Sequence, residues 1–287
     1  MKRVGTCGTG RASVLRFGPV TAAGSHPSPT RTRLDQLLVE RGQAPSRERA
    51  QALILAGAVR VAGEVADRAA APVRADAIVT VDPGPRFVSR GGDKLDGALA
   101  DFALRVDGAV VLDVGASTGG FTDRVLQGGA RRVYAIDVGH GQLDWRLRND
   151  PRVVSREGLN ARTGFPLPEP VDLIVADLSF ISLAIALPPS FVHLRDGGDV
   201  IALVKPQFEA GRAAVGRGGI VRDPAARADA VVAVAERFTA AGVACVAIAP
   251  SRLAGREGNR EIFIHARKGD AGLAPGRIRE AAREAAE

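Results

Sequence analysis

The stretch Val110-Val111-Leu112-Asp113-Val114-Gly115-Ala116-Ser117-Thr118-Gly119-Gly120-Phe121-Thr122 decides the fold of this chain. It begins with apolar, mostly β-branched residues, passes into a loop of small residues, and continues with apolar side chains at the helical spacing of Phe121, Val125 and Leu126. This pattern predicts a strand, a glycine turn and a helix. Such a turn holds a ligand at the carboxyl end of a parallel sheet.

The charges around this turn indicate which ligand it holds. Its glycines depart from the Gly-x-Gly-x-x-Gly spacing of dinucleotide sites, and Asp113 lies at the strand end. A carboxylate there would repel a phosphate but attract the ammonium and sulfonium groups of S-adenosylmethionine. A second short strand, residues 132–137, ends in Asp137, where a carboxylate can accept hydrogen bonds from ribose hydroxyls. The two motifs favour S-adenosylmethionine; a nicotinamide-type cofactor and a purely structural turn are the alternatives.

Strand and helix patterns continue to alternate after the turn. A doubly wound α/β domain with a Rossmann-like, seven-stranded sheet is therefore expected over residues 91–268. Four polar residues fall at the carboxyl ends of its strands, where such sheets bind ligands: Asp113, Asp137, Asp177 and Lys205. The further predicted strands are residues 153–154, 172–177, 200–205, 243–248 and 261–265, with a helix over residues 225–240.

Residues 31–82 form a separate α+β module in this prediction. Leu34, Leu37 and Leu38 give one short helix an apolar face, Ser46 can cap a second helix, and residues 59–61 and 78–81 read as strands. The whole net charge of +7 arises within residues 1–90, because acidic and basic residues balance over the remainder. A basic module beside a neutral one indicates binding to a polyanion, with a merely solvated basic surface as the alternative.

The remaining segments and the rare residue types set outer limits. Residues 1–30 are expected to be a disordered leader, residues 83–90 a linker and residues 269–287 a flexible tail. The two cysteines and four histidines match no metal spacing, and no apolar run reaches the 18 residues of a membrane span. We therefore expect a cytoplasmic protein with no metal and no membrane partner; the oligomeric state is not indicated.

The use of lysine points to base chemistry. The chain contains 35 arginines and only 4 lysines, and two of those lysines, Lys94 and Lys205, fall at the mouth of the predicted site. A lysine can lose its proton when it is desolvated or placed beside another cation, whereas an arginine cannot. A lysine retained as a simple surface charge is the alternative for each.

The two parts of the chain each resemble a known family. Residues 33–35, 46–47 and 57–63 resemble the alpha-L RNA-binding motif of a small-subunit ribosomal protein and of pseudouridine synthases. The larger domain resembles RNA 2′-O-ribose methyltransferases of the FtsJ type, which are class I methyltransferases, at four segments that match the family's Lys-Asp-Lys-Glu tetrad. These segments are residues 89–95, 175–180, 203–209 and 258–263, with Lys94, Asp177, Lys205 and Glu261. Residues 31–267 as a whole resemble the TlyA family, which is also labelled haemolysin A.

The resemblance implies S-adenosylmethionine-dependent 2′-O-methylation of ribose, with cytidines of 16S and 23S ribosomal RNA as targets. Lys205 would be the general base, Lys94 would ease loss of its proton and stabilise the developing oxyanion, and Asp177 and Glu261 would orient the two ammonium groups. The implied cofactor-binding residues are Asp113, Gly115, Ala116, Ser117, Gly119, Phe121, Asp137, Asn160 and Asp177. The implied RNA-binding residues are Arg33, Arg47, Arg49, Arg60 and Arg90.

Several alternatives stay open at this stage. A non-catalytic RNA-binding or ribosome-assembly factor would share the same modules, and a cytolysin, as the haemolysin label suggests, would need a membrane-active segment that the sequence does not present. Phe180 would either stack on a base or pack in the core. Ala62 departs from the alpha-L motif, which commonly has Asn there, and this weakens the local turn.

Overall fold

The computed structural model describes residues 31–82, 84–255 and 258–287. The leader expected over residues 1–30 lies outside the described residues. The chain divides between Gly84 and Pro85 into two compact units, here called the N-terminal unit and the C-terminal unit.

The N-terminal unit packs two helices against two small sheets. Its helices are α1 (Leu34–Glu40) and α2 (Arg47–Leu55), and its strands are β1 (Arg31–Arg33), β2 (Val59–Val61), β3 (Glu64–Val65), β4 (Pro72–Arg74) and β5 (Val79–Val81). β1 pairs with β4, and β2 pairs with both β3 and β5, in each case antiparallel. Ser46 Oγ accepts a hydrogen bond from the Arg49 amide at 3.2 Å, as expected of an N-cap. Leu34, Leu38 and Ile54 are buried in the core that the helices share.

The C-terminal unit is built on one seven-stranded sheet. The strands are β6 (Val110–Val114), β7 (Arg132–Asp137), β8 (Val153–Glu157), β9 (Val171–Ala176), β10 (Leu194–Val204), β11 (Val243–Pro250) and β12 (Ile262–Lys268). Their order is β11-β12-β10-β9-β6-β7-β8; β12 is antiparallel to both neighbours, and all other pairs are parallel. The helices are α3 (Arg90–Asp101), α4 (Gly120–Gln127), α5 (Trp145–Arg148), α6 (Leu183–Ala186), α7 (Pro206–Glu209), α8 (Pro224–Ala240) and α9 (Pro275–Ala286). The predicted fold class is confirmed.

Alternate residues of β6 enter two different cores, as the strand period of two requires. Val110, Leu112 and Val114 belong to the core that includes α8 and α9, while Val111 belongs to the core that includes α3 and α4. Every residue of β6 is buried, including Asp113. The sheet is therefore covered on both faces, and only its strand ends are free to present polar groups.

The expectation of a flexible tail over residues 269–287 is wrong, because α9 occupies most of it. Ile278, Ala282 and Ala286 are buried on one face of α9, where small side chains allow the helix to approach α8 closely. Arg227 of α8 donates a hydrogen bond from Nε to the Ala286 carbonyl at 2.9 Å. The tail sequence is rich in Ala, Arg and Glu, and its apolar face is narrow, so the sequence pattern alone does not indicate a packed helix.

Gly91 and Gly92, a pair of residues typical of a turn, lie inside a helix, because α3 already begins at Arg90. A side chain at Gly92 would meet the ring of Phe87 at 2.2 Å, so these glycines allow close packing inside the helix start. None of the helices in the described ranges is long and apolar enough to cross a membrane.

Candidate active site

The glycine turn after β6 lies against the end of β7. The amides of Gly115 and Ala116 both donate to the Ile136 carbonyl, at 2.9 and 3.1 Å. Asp137 follows directly, and its two carboxylate oxygens accept from the Ser117 amide at 2.8 Å and the Gly139 amide at 2.7 Å. The Asp137 carboxylate is thereby held in a fixed position beside the turn.

Two glycines of the turn have no room for a side chain. Gly119 has φ +97°, and a Cβ there would lie 2.3 Å from Leu147 Cδ1. Gly115 has φ +84°, and a Cβ there would lie 2.7 Å from Leu178 Cδ2 and 3.0 Å from the Asp177 carbonyl oxygen. The turn therefore lies in contact with the segment that follows β9, which carries the second predicted group of site residues.

Asp113 is a buried carboxylate with one oxygen unused. Its Oδ2 accepts from Thr122 Oγ1 at 2.6 Å, while its Oδ1 has no hydrogen-bond partner among the described residues. Burial raises the pKa of Asp113 to about 7; the nearby Asp177 charge adds to the rise, and the Thr122 hydrogen bond opposes it. An unpartnered buried acid oxygen suits a cationic ligand, so the residues present fit S-adenosylmethionine.

The other predicted cofactor residues near the glycine turn and the end of β7 differ in their exposure to solvent. Ser117 and Asn160 are exposed; the Leu159 amide bonds to the Asp137 carbonyl at 3.0 Å, which places Asn160 near the same strand end. Ala116 is buried within the turn. Phe121 does not face the site as expected: its ring is buried and stacks on Phe263, with centroids 6.3 Å apart. Its role is to pack α4 on the sheet, because the inward face of α4 is apolar.

The sheet brings Asp177, Lys205 and Glu261 to one edge. Asp177 directly follows β9 and Lys205 directly follows the neighbouring parallel strand β10. Val204 of β10 pairs with Ile262 of antiparallel β12, so Lys205 and Glu261 come next on neighbouring backbones. Residues far apart in the chain thus meet at the end of the sheet that also carries the glycine turn.

The four residues of the tetrad form two ion pairs. Lys205 Nζ lies 2.6 Å from Asp177 Oδ1, and its directed hydrogen bond goes to Ser179 Oγ at 2.7 Å. Lys94 Nζ donates to Glu261 Oε2 at 2.5 Å, and both of these side chains are buried. Each lysine is therefore held beside a carboxylate.

Sequence reasoning missed two polar residues that shape this edge. Ser179 contacts Lys205, as described, and Glu209 accepts from Ser182 Oγ at 2.5 Å and from the Leu183 amide at 2.7 Å. Burial raises the pKa of Glu209, although these hydrogen bonds oppose the rise. Glu209 ties α7 to the start of α6. The only available signal was its position in the segment Lys205-Pro206-Gln207-Phe208-Glu209.

Two of the predicted RNA-binding arginines are anchored inside the N-terminal unit. Asp35 is buried and accepts from Arg33 Nε at 3.0 Å, from Arg47 Nη2 at 3.2 Å and from Gln51 Nε2 at 3.0 Å. The hydrogen bonds from Arg33 hold the pKa of Asp35 well below its usual range. Arg33 and Arg47 are still about half exposed, so each can offer its remaining donors to a ligand.

The other three predicted RNA-binding arginines are exposed. Arg49 lies on α2, and Arg60 lies on β2, where its Nη1 donates to the Gly63 carbonyl at 3.3 Å. Arg90 is the first residue of α3 and so belongs to the C-terminal unit. Within the described ranges, no group of three His, Cys, Asp or Glu side chains is arranged to hold a metal ion.

Comparison with known families agrees with this geometry. Residues 87–268 match the FtsJ-like methyltransferase family, and residues 32–79 match the S4 domain. The fold and the site therefore define a methyltransferase that uses S-adenosylmethionine and carries an RNA-binding S4 domain.

Individual relatives identify the family more closely. The chain is 50% identical over 238 residues to the 16S/23S rRNA (cytidine-2′-O)-methyltransferase TlyA of Mycobacterium tuberculosis, a match that covers 82% of this chain and 89% of that protein. It is 40% identical over 236 residues to hemolysin A of Brachyspira hyodysenteriae, covering 81% and 98%. A solved structure described as a hemolysin from Streptococcus thermophilus has a TM-score of 0.67 at 39% identity, covering 90% of this chain and 96% of that one. The chain belongs to the TlyA family.

Proposed function

We propose that this enzyme methylates the 2′-hydroxyl of cytidine ribose in 16S ribosomal RNA, 23S ribosomal RNA or both. The observation that carries the proposal is the presence of two lysine–carboxylate pairs at the sheet edge that also carries the glycine turn. The choice of cytidine and of 16S and 23S ribosomal RNA follows the activity of the Mycobacterium tuberculosis relative. An enzyme with this substrate would work in the cytoplasm, where ribosomes are found.

Lys205 is the proposed general base. A ribose hydroxyl is a poor nucleophile until its proton is removed, and S-adenosylmethionine, when bound, supplies the methyl group. Asp177 and Ser179 hold Lys205 Nζ from two sides, at 2.6 and 2.7 Å, which fixes the position at which the proton is accepted. Positioning of this kind contributes much of the lowering of the barrier.

Lys94 is the proposed fixed cation. Its side chain is only 9% exposed and is tied to Glu261, so it keeps one position. A preorganised charge in a poorly solvated place stabilises negative charge that develops on the substrate oxygen. Glu261 limits the cost of burying that cation.

The donor is proposed to lie along the glycine turn. Asp137 would accept hydrogen bonds from its ribose hydroxyls, because each carboxylate oxygen has a further lone pair beyond its backbone partner. Asp113 would balance the positive charge of the donor from below the turn. The remaining proposed contacts are Gly115, Ala116, Ser117, Gly119, Asn160 and Asp177, while Phe121 supports the turn from the core.

Phe180 supports a nucleic-acid substrate at this site. The side chain is 90% exposed and its φ is +65°, so the ring is held out of the core by an unusual backbone conformation. The Phe208 ring lies beside it, with centroids 5.2 Å apart, and Phe180 directly follows Ser179, the hydrogen-bond partner of Lys205. An exposed ring next to the proposed base offers a stacking surface for a nucleobase.

The N-terminal unit is proposed to hold structured RNA through Arg33, Arg47, Arg49 and Arg60. Guanidinium groups match phosphate geometry with paired donors, and the basic excess of the chain lies in its first 90 residues. Arg90, which belongs to the C-terminal unit, is proposed as a further phosphate contact.

The test uses the full-length protein with 30S and 50S subunits from a strain that lacks this methylation. The subunits are incubated with labelled S-adenosylmethionine, and the labelled nucleotide is mapped. We expect label on the ribose of a cytidine in at least one subunit. Asp137→Ala is the control, and it should lose donor binding by calorimetry while keeping RNA affinity. Label on a base, or RNA binding without any transfer, would refute the proposal; the second result would indicate a non-catalytic assembly factor.

A further inference from the structure

Residues 210–222, here called the basic loop, are positively charged without a neutralising partner. The loop contains Arg212, Arg217 and Arg222 and no acidic residue. All three side chains are exposed, and no carboxylate of a described residue lies within 4.0 Å of them. Elsewhere on this unit some exposed arginines are paired, as Arg148 is with Glu157 at 2.7 Å, while others, such as Arg237, have no described carboxylate partner. The loop therefore presents charge that the protein itself does not use.

The basic loop is held in place by a buried amide. Asn259 is 3% exposed; its Nδ2 donates to the Gly219 carbonyl at 3.0 Å, and its Oδ1 accepts from the Val221 amide at 3.3 Å. Buried Arg227 adds hydrogen bonds from Nη1 to the carbonyls of Val221 and Arg222, at 3.1 and 2.8 Å. A loop with this many buried side-chain anchors keeps a defined shape.

The start of the basic loop and the residue that anchors it, Asn259, both lie close in sequence to residues of the tetrad. The loop begins directly after α7, the helix that follows Lys205. Asn259 lies two residues before Glu261, and its carbonyl accepts from the Gly255 amide at 2.9 Å. Gly255 in turn packs against the Glu261 carboxylate, with 2.3 Å between a Cβ built there and Oε1. The basic loop is thus fixed to the two segments that carry Lys205 and Glu261.

The fold of the loop brings Arg222 against the turn that carries Arg217. A turn is formed by hydrogen bonds from the Gly216 amide to the Ile220 carbonyl and from the Gly219 amide to the Gly216 carbonyl. Arg222 Nη1 lies 3.3 Å from a Cβ built at Gly216, so this side chain packs on the turn that carries Arg217. The two acidic residues that flank the loop in sequence use their carboxylates elsewhere: Glu209 accepts from Ser182 Oγ and the Leu183 amide, and Asp223 caps α8 through the Ala225 amide at 3.0 Å.

We propose that the basic loop is a second RNA-binding surface, which holds phosphates of the substrate strand beside Lys205 through Arg212, Arg217 and Arg222. The inference rests on the proposed function and adds a second RNA-binding surface to it. The composition of the chain indicates only the first such surface, because the excess of positive charge lies in the first 90 residues. Phosphate contacts fix the register of a nucleic acid without reading its sequence. The basic loop would thereby place the target ribose, while the N-terminal unit supplies affinity for the RNA as a whole.

The test compares Arg212→Ala/Arg217→Ala/Arg222→Ala with the wild-type enzyme and with Arg237→Ala. Arg237 is an exposed arginine of α8, without a described carboxylate partner, about 20 Å along the helix from Pro224. Measurements are KM and kcat for methylation of ribosomal subunits, RNA affinity at several salt concentrations, and donor affinity by calorimetry. A third variant, Arg212→Lys/Arg217→Lys/Arg222→Lys, keeps the charge.

We expect the triple alanine variant to raise KM for RNA about tenfold or more and to reduce the salt slope of RNA binding by about 2, with donor affinity and melting temperature unchanged. The lysine variant should recover most of the slope, and Arg237→Ala should behave as wild type. If the triple alanine variant matches Arg237→Ala while wild type is active, the basic loop is not an RNA site. If wild type itself neither binds nor methylates ribosomal RNA, the proposed function fails instead.

Discussion

Lys94 Nζ and Glu261 Oε2 lie 2.5 Å apart, and the two side chains are 9% and 3% exposed. The pair joins α3 to the segment before β12, and its two residues are 167 positions apart in the sequence of the C-terminal unit. It differs from the Lys205–Asp177 pair, whose members are both more exposed. One pair is therefore suited to holding a charge in place, and the other to contact with a substrate.

Removal of the Glu261 charge should cost stability as well as activity. Glu261→Gln leaves Lys94 as a buried cation with no counter-charge, so the free energy of unfolding should fall by about 3 kcal/mol. Urea denaturation followed by circular dichroism measures this. The double variant Lys94→Met/Glu261→Gln should recover much of the loss, because no charge is then left buried. A single variant as stable as wild type would show that the pair is solvated.

Lys205→Arg should keep the fold and donor affinity but lose methyl transfer. The guanidinium retains the ion pair with Asp177 but cannot accept a proton at neutral pH. Single-turnover rates with labelled donor and ribosomal subunits should fall by about 10²–10⁴-fold. Lys94→Arg is the matched comparison, where a fixed positive charge is most of what is needed. The roles are reversed if Lys205→Arg turns over normally and Lys94→Arg is dead.

Asp113→Asn should separate stability from donor binding. The pKa of Asp113 is about 7 in the folded protein and near 3.9 in an unfolded chain, so the folded state holds an extra proton between these values. Protonated Asp113 therefore contributes its full stabilisation of the folded state below the unfolded pKa, and this stabilisation is lost as the pH rises through the folded pKa of about 7. Asparagine does not titrate, so the free energy of unfolding of the variant relative to that of wild type should rise from pH 4 to pH 7, by at most about 1.4 kcal/mol per pH unit.

The same variant should bind S-adenosylmethionine more weakly than wild type at pH 8, where the wild-type carboxylate is charged. Melting temperatures and calorimetry over this pH range give both readings. A constant difference in stability across the range would place the Asp113 pKa outside it.

Ala62→Asn should stabilise the N-terminal unit. Ala62 and Gly63 have φ of +49° and +90° between β2 and β3, which is the backbone of a type I′ turn. Asparagine adopts the left-handed conformation at less cost than alanine, so the gain should be about 0.5–1 kcal/mol. Hydrogen exchange of the β2 and β3 amides measures this, with Gly63→Ala as the opposite control. Slower exchange in the Gly63 variant than in the Asn variant would contradict the turn assignment.

The strands could be predicted from the sequence because the buried parallel strands are short apolar runs, several of which end at a polar residue. Asp137, Asp177 and Lys205 each end such a run, and the rule that ligands lie at the carboxyl ends of parallel strands predicts that the three side chains lie together. Glu261 was harder, because it precedes its strand; only the antiparallel direction of β12 places it at the same edge.

The errors arose where a local pattern has two structural meanings. Phe121 begins a helix beside the ligand turn, yet helix phase directs its ring into the core. Asn259 stands among other polar residues, and nothing nearby in the sequence shows that its partners are 38 and 40 residues earlier. Asp35 likewise has the pattern of a surface acid, because its partners in α2, Arg47 and Gln51, are 12 and 16 residues later in the chain.

The antiparallel strand β12 also bears on how the enzyme matures. The Lys94–Glu261 pair cannot form before Glu261, 167 residues later in the chain, has been synthesised. The backbone of Glu261 lies beside that of Lys205 only once β12 has paired with β10. Contacts of such large sequence separation form late, since a long loop must close before they repay its entropy. A nascent chain that already displays its S4 domain therefore lacks the assembled tetrad of Lys94, Asp177, Lys205 and Glu261, and it can meet ribosomal RNA during its own synthesis before these four residues are in place.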